Sequence, residues 1–357
     1  MGKDSEFYKD KKRQQKMRLR ELISRMPSFA SDYIYSKEVT TQTSTLVSYS
    51  YDLITFFEFL CDENPILKGK KTNEVTLDDI ASLTSEDIIE YQRYLELNVG
   101  KDGKYHENDK KAIARKMSPL RGLFLYHYQR KNIPDNPMIL VPLPKLKKDK
   151  NIIRMNNYEV QSILNAIENG DPQMSKRQRM ACEKTKQRDL AILTLMLGTG
   201  IRVSECNGLD LNDVDLIVNT LTIVRKGGGQ DVLYFNDEIH DVLDAYIEGE
   251  RKAIKPVEGH EKALFYSAQG KRMSVDAIEN LVKKYAKMVV PNKKITPHKL
   301  RSTYGTALYR ATGDIRLVAD VLGHENINTT INYYAAIEDE HKRQARDAVD
   351  FKKPDND

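Results

Sequence analysis

Four prolines within eleven residues restrict the folding of this chain most strongly, because proline excludes both helix interiors and central strands. They are Pro134, Pro137, Pro142 and Pro144, and a cluster of lysines follows them. We therefore expect residues 133–155 to be extended and to separate two helical halves. A chain of 357 residues is long enough for two domains, each with its own core.

Hydrophobic spacing predicts that residues 1–140, which include a short basic N-terminal extension, form a helical domain. Residues 44–60 carry large apolar side chains on one helical face. A capping sequence at Thr84 begins a second helix. Residues 108–130 form a longer helix, in which the aromatic run 126–128 is expected to pack inward.

After an extended basic linker over residues 141–156, the second domain is predicted to span residues 157–337 and to combine helices with a small sheet. Residues 188–197, RDLAILTLML, form a strongly apolar helix that Gly200 ends. Three alternating runs predict strands. The runs are residues 214–219, 221–225 and 231–235, with a triple-glycine hairpin tip between the last two. The predicted fold class is mainly α with a small antiparallel β-sheet (α+β), followed by a tail over residues 338–357.

Positive charge is concentrated around the predicted linker. The whole chain has a net charge of +5, whereas residues 101–154 hold fourteen Lys and Arg against five Asp and Glu, a net charge of +9. Such a segment is suited to a phosphate backbone. The candidate DNA-binding residues are Lys110, Lys111, Arg115, Lys116, Arg121, Lys145, Lys147 and Lys148.

Residues 296–334 concentrate groups that suit a phosphodiester substrate. A helix start there places His298 and Arg301 three positions apart on one face. A second short helix follows, with His324 in the first turn beyond its end and Tyr333 nine residues later. A guanidinium binds phosphate oxygens, an imidazole transfers protons near neutral pH, and a phenol can act as a nucleophile.

Four stretches resemble the signature of the tyrosine recombinase, or phage integrase, family. HKLRST, LGHENINTT and the following tyrosine match the family's H-x-x-R, L-G-H and a tyrosine nine residues on. TGIRVSE matches the T-G-x-R-x-S-E box, and LTIVRKG matches the hairpin that carries the family's lysine. The motif-bearing part of the resemblance covers residues 157–334. It implies a catalytic set made of Arg202, Lys226, His298, Arg301, His324 and Tyr333.

The resemblance also implies roles for these residues. Arg202 and Arg301 stabilise charge on the phosphate, and Lys226 protonates the departing 5′-hydroxyl. His298 is a base or a hydrogen-bond partner of the phosphate, His324 binds the phosphate and orients the site, and Tyr333 forms a 3′-phosphotyrosyl link. That link stores the bond energy, so neither a metal nor ATP is expected as a cofactor.

Three further positions near the motifs bear on the chemistry. Glu205 is a supporting residue that either orients the first arginine or caps its helix. Ser302 stands where a histidine commonly follows the second arginine, at a position that supports the chemistry. Arg225 stands where glycine is common before the lysine, a change that a hairpin should tolerate.

The family resemblance implies a helical core-binding domain and a catalytic domain that form a clamp around double-stranded DNA. A dimer on each site and a tetramer in the synapse are expected, with the tail docking on a neighbouring subunit. The layout is similar to single-protein Xer-type recombinases that resolve chromosome dimers. The alternatives are an integrase or excisionase of a mobile element, a type IB topoisomerase-like enzyme and a non-catalytic DNA-binding regulator.

Cysteine usage and hydropathy indicate where the protein works. Cys61, Cys182 and Cys206 lack the spacing of a zinc site or of a disulfide framework. The polar N-terminus has no apolar signal region, and no stretch approaches a membrane span. A cytoplasmic, nucleoid-associated protein with no metal and no membrane partner is therefore expected.

Overall fold

The chain divides into two compact units that meet in sequence between residues 148 and 149. The computed structural model describes residues 6–99, 103–144, 153–170, 175–225 and 227–324, together with residues 327 and 331. Several predicted features lie outside the described residues. They are Lys145, Lys147, Lys148, Lys226, Tyr333 and the tail over residues 338–357.

The first unit is a helical bundle, as the spacing of apolar residues predicts. Its helices are α1 (Glu6–Ile23), α2 (Ser28–Lys37), α3 (Thr43–Glu63), α4 (Leu77–Ala81), α5 (Ser85–Glu96) and α6 (Lys110–Gln129). A short antiparallel hairpin, β1 (Leu97–Val99) with β2 (Tyr105–Glu107), connects α5 to α6. The sequence analysis did not predict this hairpin.

Aromatic side chains from three helices form the core of the first unit. Phe56 and Phe57 on α3, Tyr91 on α5 and Phe124 on α6 are all fully buried. The rings of Phe56 and Tyr91 meet edge to face with centroids 5.0 Å apart, a geometry that adds to the hydrophobic gain. The predicted inward packing of residues 126–128 is wrong at Tyr128, which is 41% exposed.

Local sequence signals set the ends of several helices. Thr84 caps α5: its side chain accepts a hydrogen bond from the backbone of Asp87, whose carboxylate bonds back to the Thr84 amide. Asp109 caps α6 through its side chain, which accepts a hydrogen bond from the backbone amide of Ala112. The proline-rich segment is not wholly extended as predicted, because Pro137–Ile139 forms one 3₁₀ turn. Val141 is still buried in the core of this first unit.

The second unit contains eight helices and a sheet within the described ranges. The helices are α7 (Asn157–Asn169), α8 (Lys176–Glu183), α9 (Lys186–Thr199), α10 (Val203–Asn207), α11 (Asp237–Tyr246), α12 (Val275–Val289), α13 (Pro297–Thr312) and α14 (Ile315–Val321). A π-helical turn, Ile247–Arg251, follows α11. The strands are β3 (Val214–Asp215), β4 (Thr220–Val224) and β5 (Gln230–Tyr234). They form an antiparallel sheet in the order β3-β4-β5, with β3 shorter than predicted.

Helix α9 is the centre of the second unit. Ala191, Ile192, Leu193 and Leu195 are all at most 1% exposed, so the helix is buried on every side. Helices α7, α11 and α13 pack around it. Gly200 ends α9 in the left-handed conformation, with φ of +64°, and its amide bonds to the carbonyl of Met196. The buried helix therefore delivers residues 200–202 to a fixed position.

The predicted fold class is confirmed, since the described chain is mainly helical with small antiparallel sheets. All three cysteines are free thiols. Among the residues that the structure describes, no helix has the length and apolar character needed to cross a membrane.

Candidate active site

Arg301 lies in the second turn of α13, buried to 95% of its surface. Pro297 occupies the first position of this helix, where its missing amide hydrogen costs nothing. The guanidinium of Arg301 donates through Nη1 to the carbonyl of Gly200 at 2.6 Å and through Nη2 to the carbonyl of Leu322. This side chain therefore joins the end of α9 to the end of α14.

Arg202 lies two residues after the left-handed Gly200 and immediately precedes α10. Its Nη1 donates to Oε1 of Glu205 at 2.8 Å, and its backbone amide donates to Oε2 of the same carboxylate at 2.9 Å. The sequence left two roles open for Glu205, and the carboxylate fills both, because it orients the arginine and caps the helix. Through Nη2, Arg202 also donates to the carbonyl of Gly323 at 2.8 Å.

A Schellman motif ends α14 and leaves three carbonyl groups available. Gly323 has φ of +56°, the amide of Gly323 bonds to Asp320, and the amide of His324 bonds to Ala319. The last carbonyls of a helix have no partner within it and carry partial negative charge. Here the three successive carbonyls of residues 321, 322 and 323 accept from three arginines, which are Arg225, Arg301 and Arg202.

Arg225 is the member of this cluster that the sequence analysis missed. It was considered a tolerated departure from glycine, yet its side chain is only 12% exposed. It donates to Val321 O at 2.8 Å and forms ion pairs with Asp231 at 2.8 Å and Glu205 at 3.5 Å. Motif spacing could not reveal these contacts, because Arg225 and Val321 are 96 residues apart.

The two histidines flank the arginine cluster. His298 is exposed in the first turn of α13, and His324 is half-buried in the turn after α14. Desolvation and then the charges of Lys299, Arg301 and Arg202 lower the pKa of His298. Desolvation and the charges of Arg301, Arg202, His298 and Arg225 lower the pKa of His324 from 6.5 to about 4. Both imidazoles are therefore neutral at neutral pH.

The low pKa of His324 gives a testable titration. In the DNA-free protein, we expect the His324 imidazole to gain its proton with a midpoint of about 4, measured from its Cε1–H resonance by NMR. Because the folded-state pKa lies below the ordinary value of 6.5, this group favours folding above that pH. Its contribution is lost as the pH falls from 6.5 towards about 4. A midpoint above 6.5 would contradict the described charge environment.

Two predicted catalytic residues lie outside the described part of the chain. Lys226 follows Arg225 directly in sequence and falls between the segments that form β4 and β5. The amide of Arg225 bonds to the carbonyl of Gly229, which closes this tip as predicted. Tyr333 follows His324 by nine positions in sequence. The structure brings Arg202, Glu205, Arg301 and His324 together, with His298 on the same helix as Arg301.

The predicted DNA-binding residues of α6 differ in their contacts. Arg115 forms a two-bonded ion pair with the buried carboxylate of Asp52, at 2.7 and 3.0 Å. Arg121 donates to the carbonyls of Met138 and Val141. Lys110 and Lys111 are exposed, and Lys116 is half-buried.

The clustered side chains form a site for an oxyanion. Guanidinium groups bind phosphate oxygens in a planar, two-pronged manner, and neutral imidazoles can donate one hydrogen bond and accept another. Arginines fixed by carboxylate and carbonyl partners need little reorganisation when negative charge develops near them. The site is therefore suited to stabilising a phosphoryl transition state.

Comparison with known proteins agrees with this chemistry. Residues 154–341 match the model of the phage integrase family. Tyrosine recombinase XerC of Caldanaerobacter subterraneus subsp. tengcongensis is 33% identical over 314 residues, which cover 85% of this chain and 80% of that protein. Tyrosine recombinase XerS of Streptococcus thermophilus strain LMD-9 is 30% identical over 347 residues, which cover 91% of this chain and 96% of that protein.

Solved structures share the fold. The Tn1549 transposon integrase in complex with transposon right end DNA has a TM-score of 0.63 and 21% identity, covering 89% of this chain and 98% of that one. The XerH site-specific recombinase bound to a palindromic difH substrate has a TM-score of 0.60 and 20% identity, covering 82% of this chain and 76% of that one. The chain belongs to the phage integrase family. It is a site-specific tyrosine recombinase, and the two sequence relatives described above are Xer recombinases.

Proposed function

We propose that this recombinase cuts and rejoins double-stranded DNA at a chromosomal site and acts, like Xer proteins, in the resolution of chromosome dimers. The observation that carries the proposal is the arrangement of arginines at the end of α14, immediately before His324. The identities of 33% and 30% to XerC and XerS favour this role over that of a mobile-element integrase. A nucleoid location follows from such a substrate.

In the proposed reaction, the Tyr333 oxygen attacks phosphorus and the 5′-oxygen of the next nucleotide leaves. Negative charge that grows on the non-bridging oxygens is stabilised by Arg202 and Arg301, each worth several kcal/mol in sites of this type. Lys226 gives a proton to the leaving 5′-oxygen. The 3′-phosphotyrosyl bond keeps the energy of the broken ester, so a 5′-hydroxyl of another strand can reverse the step without ATP.

The histidines act as neutral groups in this proposal. Desolvation, and after it the positive charges of Arg202 and Arg301, lower the pKa of both imidazoles, so each ring can accept a proton or hydrogen-bond a phosphate oxygen. We assign His298 as the base for the Tyr333 proton or as a hydrogen-bond partner of the phosphate. We assign His324 to phosphate binding, since the turn that precedes it is bonded to both catalytic arginines.

Trapping on nicked duplexes tests the proposed function. When cleavage lies next to a nick, a short DNA fragment carrying the 5′-hydroxyl diffuses away and the covalent product accumulates. The expected result is a protein–DNA band that survives denaturant, with the DNA-linked peptide containing Tyr333 attached to a 3′-phosphate. Candidate sites come from selecting randomised duplexes that bind the protein. A chain that binds such duplexes without forming an adduct, or attaches to a 5′ end, would contradict the proposal.

Subunit assembly separates a recombinase from a type IB topoisomerase-like enzyme. We propose that two copies bind one site and that four copies form the synapse, with the tail over residues 338–357 docking on a neighbouring subunit. Sedimentation of the protein with a duplex that carries a full site should give two subunits per duplex. A complex that stays at one subunit per duplex, and still relaxes supercoiled DNA, would favour the topoisomerase alternative.

For DNA contact, we propose that the lysines Lys110, Lys111 and Lys116 of α6 bind phosphates directly. Lys145, Lys147 and Lys148 are proposed as further phosphate contacts. Arg115 and Arg121 already bond to protein groups, so we assign them to holding α6 in place.

A pair of variants distinguishes phosphate contact from helix support. The double variant Lys110→Ala/Lys111→Ala should bind DNA with a weaker salt dependence. The magnitude of the slope of log binding constant against log salt concentration should fall by about 1 for each phosphate that the protein no longer binds. Arg115→Ala should leave that slope unchanged, but should destabilise the protein by about 1–3 kcal/mol, because it leaves the Asp52 carboxylate buried without its partner. Filter binding over a salt series and thermal unfolding measure the two effects. If Arg115→Ala lowered the salt slope and the double lysine variant did not, Arg115 would be the phosphate contact and the two lysines would not.

A further inference from the structure

Arg225 lies at the end of β4 and contacts three separate segments of the second unit. Nε donates to Oδ2 of Asp231 on β5 at 2.8 Å. Nη2 donates to the carbonyl of Val321 at the end of α14 at 2.8 Å. Nη1 lies 3.5 Å from Oε2 of Glu205 in the first turn of α10. One guanidinium thus connects the hairpin, α14 and α10.

The Glu205 carboxylate is shared between two arginines. Only 2% of its side chain is exposed, so its charge requires compensation by nearby cations. Its oxygens accept from Arg202 at 2.8 and 2.9 Å, and the second of these oxygens also faces Arg225. Nη1 of Arg225 is buried and has no hydrogen-bond partner among the described residues, so its interaction with Glu205 is electrostatic. Arg225 can therefore act on Arg202 through the carboxylate between them.

Arg225 also lies against the backbone that precedes His324. A Cβ atom added at Gly323 would lie 2.8 Å from Nε and 2.9 Å from Cζ of Arg225, closer than real contacts allow. The guanidinium can occupy this space only because residue 323 has no side chain. The same glycine supplies the carbonyl that binds Arg202. A shift of Arg225 would therefore move the turn on which both Arg202 and His324 depend.

We propose that Arg225 is a positioning residue for strand cleavage: through Glu205 and the Val321 carbonyl, it holds Arg202 and the turn before His324 where the scissile phosphate binds. It touches neither reacting atom, and its effect is exerted through the groups that do. The inference rests on the proposed function, because it concerns the phosphate site of that reaction. It also gives a role to a position where the family pattern commonly has glycine.

The test compares three variants under single-turnover conditions, on the nicked duplex that traps the wild-type protein. Arg225→Ala should slow adduct formation about 10²-fold, the size of effect expected when catalytic groups move by about 1 Å. The DNA dissociation constant and its salt dependence should not change. Arg225→Lys should give an intermediate rate, because an ammonium keeps the charge but cannot reproduce the planar set of contacts.

Asp231→Asn is the matched control. It weakens the contact of Arg225 with β5 and leaves Glu205 and the Val321 carbonyl in place, at a side chain that is 43% exposed. We expect it to cleave at nearly the wild-type rate. Thermal unfolding gives the folded fraction of each variant at the assay temperature. Cleavage rates are compared per folded molecule, so a loss of folded protein is not mistaken for slower cleavage.

Two results would overturn the inference. The first is an Arg225→Ala protein that is folded and cleaves as fast as the wild type. The second is a defect that disappears on a duplex with a 5′-bridging sulfur at the cleaved bond. A thiolate leaves without a proton, so such recovery would mean that Arg225 acts through the leaving-group acid, not through Arg202 and His324.

The same experiment separates this inference from the proposed function. If the wild-type protein forms no covalent adduct, the proposed function fails, and the inference fails with it because there is no cleavage step to position. If the wild type forms the adduct and only the Arg225 comparison fails, the recombinase proposal stands. In that case, the contacts of Arg225 serve the stability of the hairpin alone.

Discussion

A Tyr333→Phe protein is expected to bind its DNA site normally and to form no covalent adduct. The substitution removes only the phenolic oxygen, which is the atom that would bond to phosphorus. Without it, no 3′-phosphotyrosyl product can form at any rate, so this is the largest effect expected for a single change. The measurement is adduct formation on nicked duplexes, with binding followed separately by gel shift.

Tyr334→Phe is the matched control, because it removes the same atom from the adjacent residue. If the two tyrosines lie on a helix, their side chains point about 100° apart, and only one can face the phosphate. Tyr334→Phe should therefore keep adduct formation. Adducts that persist in Tyr333→Phe and vanish in Tyr334→Phe would move the nucleophile by one residue and leave the rest of the mechanism intact.

Sequence periodicity was sufficient to predict the elements that have a continuous apolar face. Helix α3 was predicted because burial of one face imposes a repeat of about 3.6 residues on its side chains. Helix α9 was predicted from its continuous apolar run and the glycine that ends it. The capping sequence at Thr84 predicted the start of α5 because a cap is a local interaction. In contrast, β1 and β2 have three residues each and no buried residue, so they show no alternation that could be detected.

The motif spacing predicted which residues belong to the site, but it could not predict what holds them. Arg301 and Gly200 are 101 residues apart, and Arg202 and Gly323 are 121 residues apart. Their partners are backbone carbonyls. Every residue has a carbonyl, so the residue types in the sequence do not show which carbonyl an arginine will contact. Arg225 was misjudged for the same reason, because its importance depends on the end of a helix that lies far away in the chain.

These backbone contacts give α14 a second role besides packing. The carbonyls of its last residue and of the two residues that follow hold the arginines in the absence of DNA, and a phosphate would offer the same guanidinium groups a full negative charge. Binding of DNA can therefore exchange carbonyl partners for phosphate oxygens with little movement of the side chains. Preorganisation of this kind lowers the cost of assembling the site around its substrate.

Arg301→Ala should show how strongly cleavage depends on this arrangement. It removes a guanidinium from the phosphate site, and removal of one such donor typically slows a reaction about 10²–10³-fold. It also leaves the buried carbonyls of Gly200 and Leu322 without donors, at a cost of about 1–3 kcal/mol each. We therefore expect a slower single-turnover cleavage rate together with a lower unfolding temperature.

Arg272→Ala separates the two effects, because Arg272 is a similarly buried arginine with a structural role in the same unit. Its Nη1 donates to the carbonyls of Asn207 and Leu209, at 3.1 and 2.6 Å, and its side chain is only 8% exposed. We expect a comparable loss of stability with little change in the cleavage rate of the folded fraction. If Arg301→Ala and Arg272→Ala slowed cleavage equally, the effect of Arg301 would be one of stability, and the phosphate would have to be bound elsewhere.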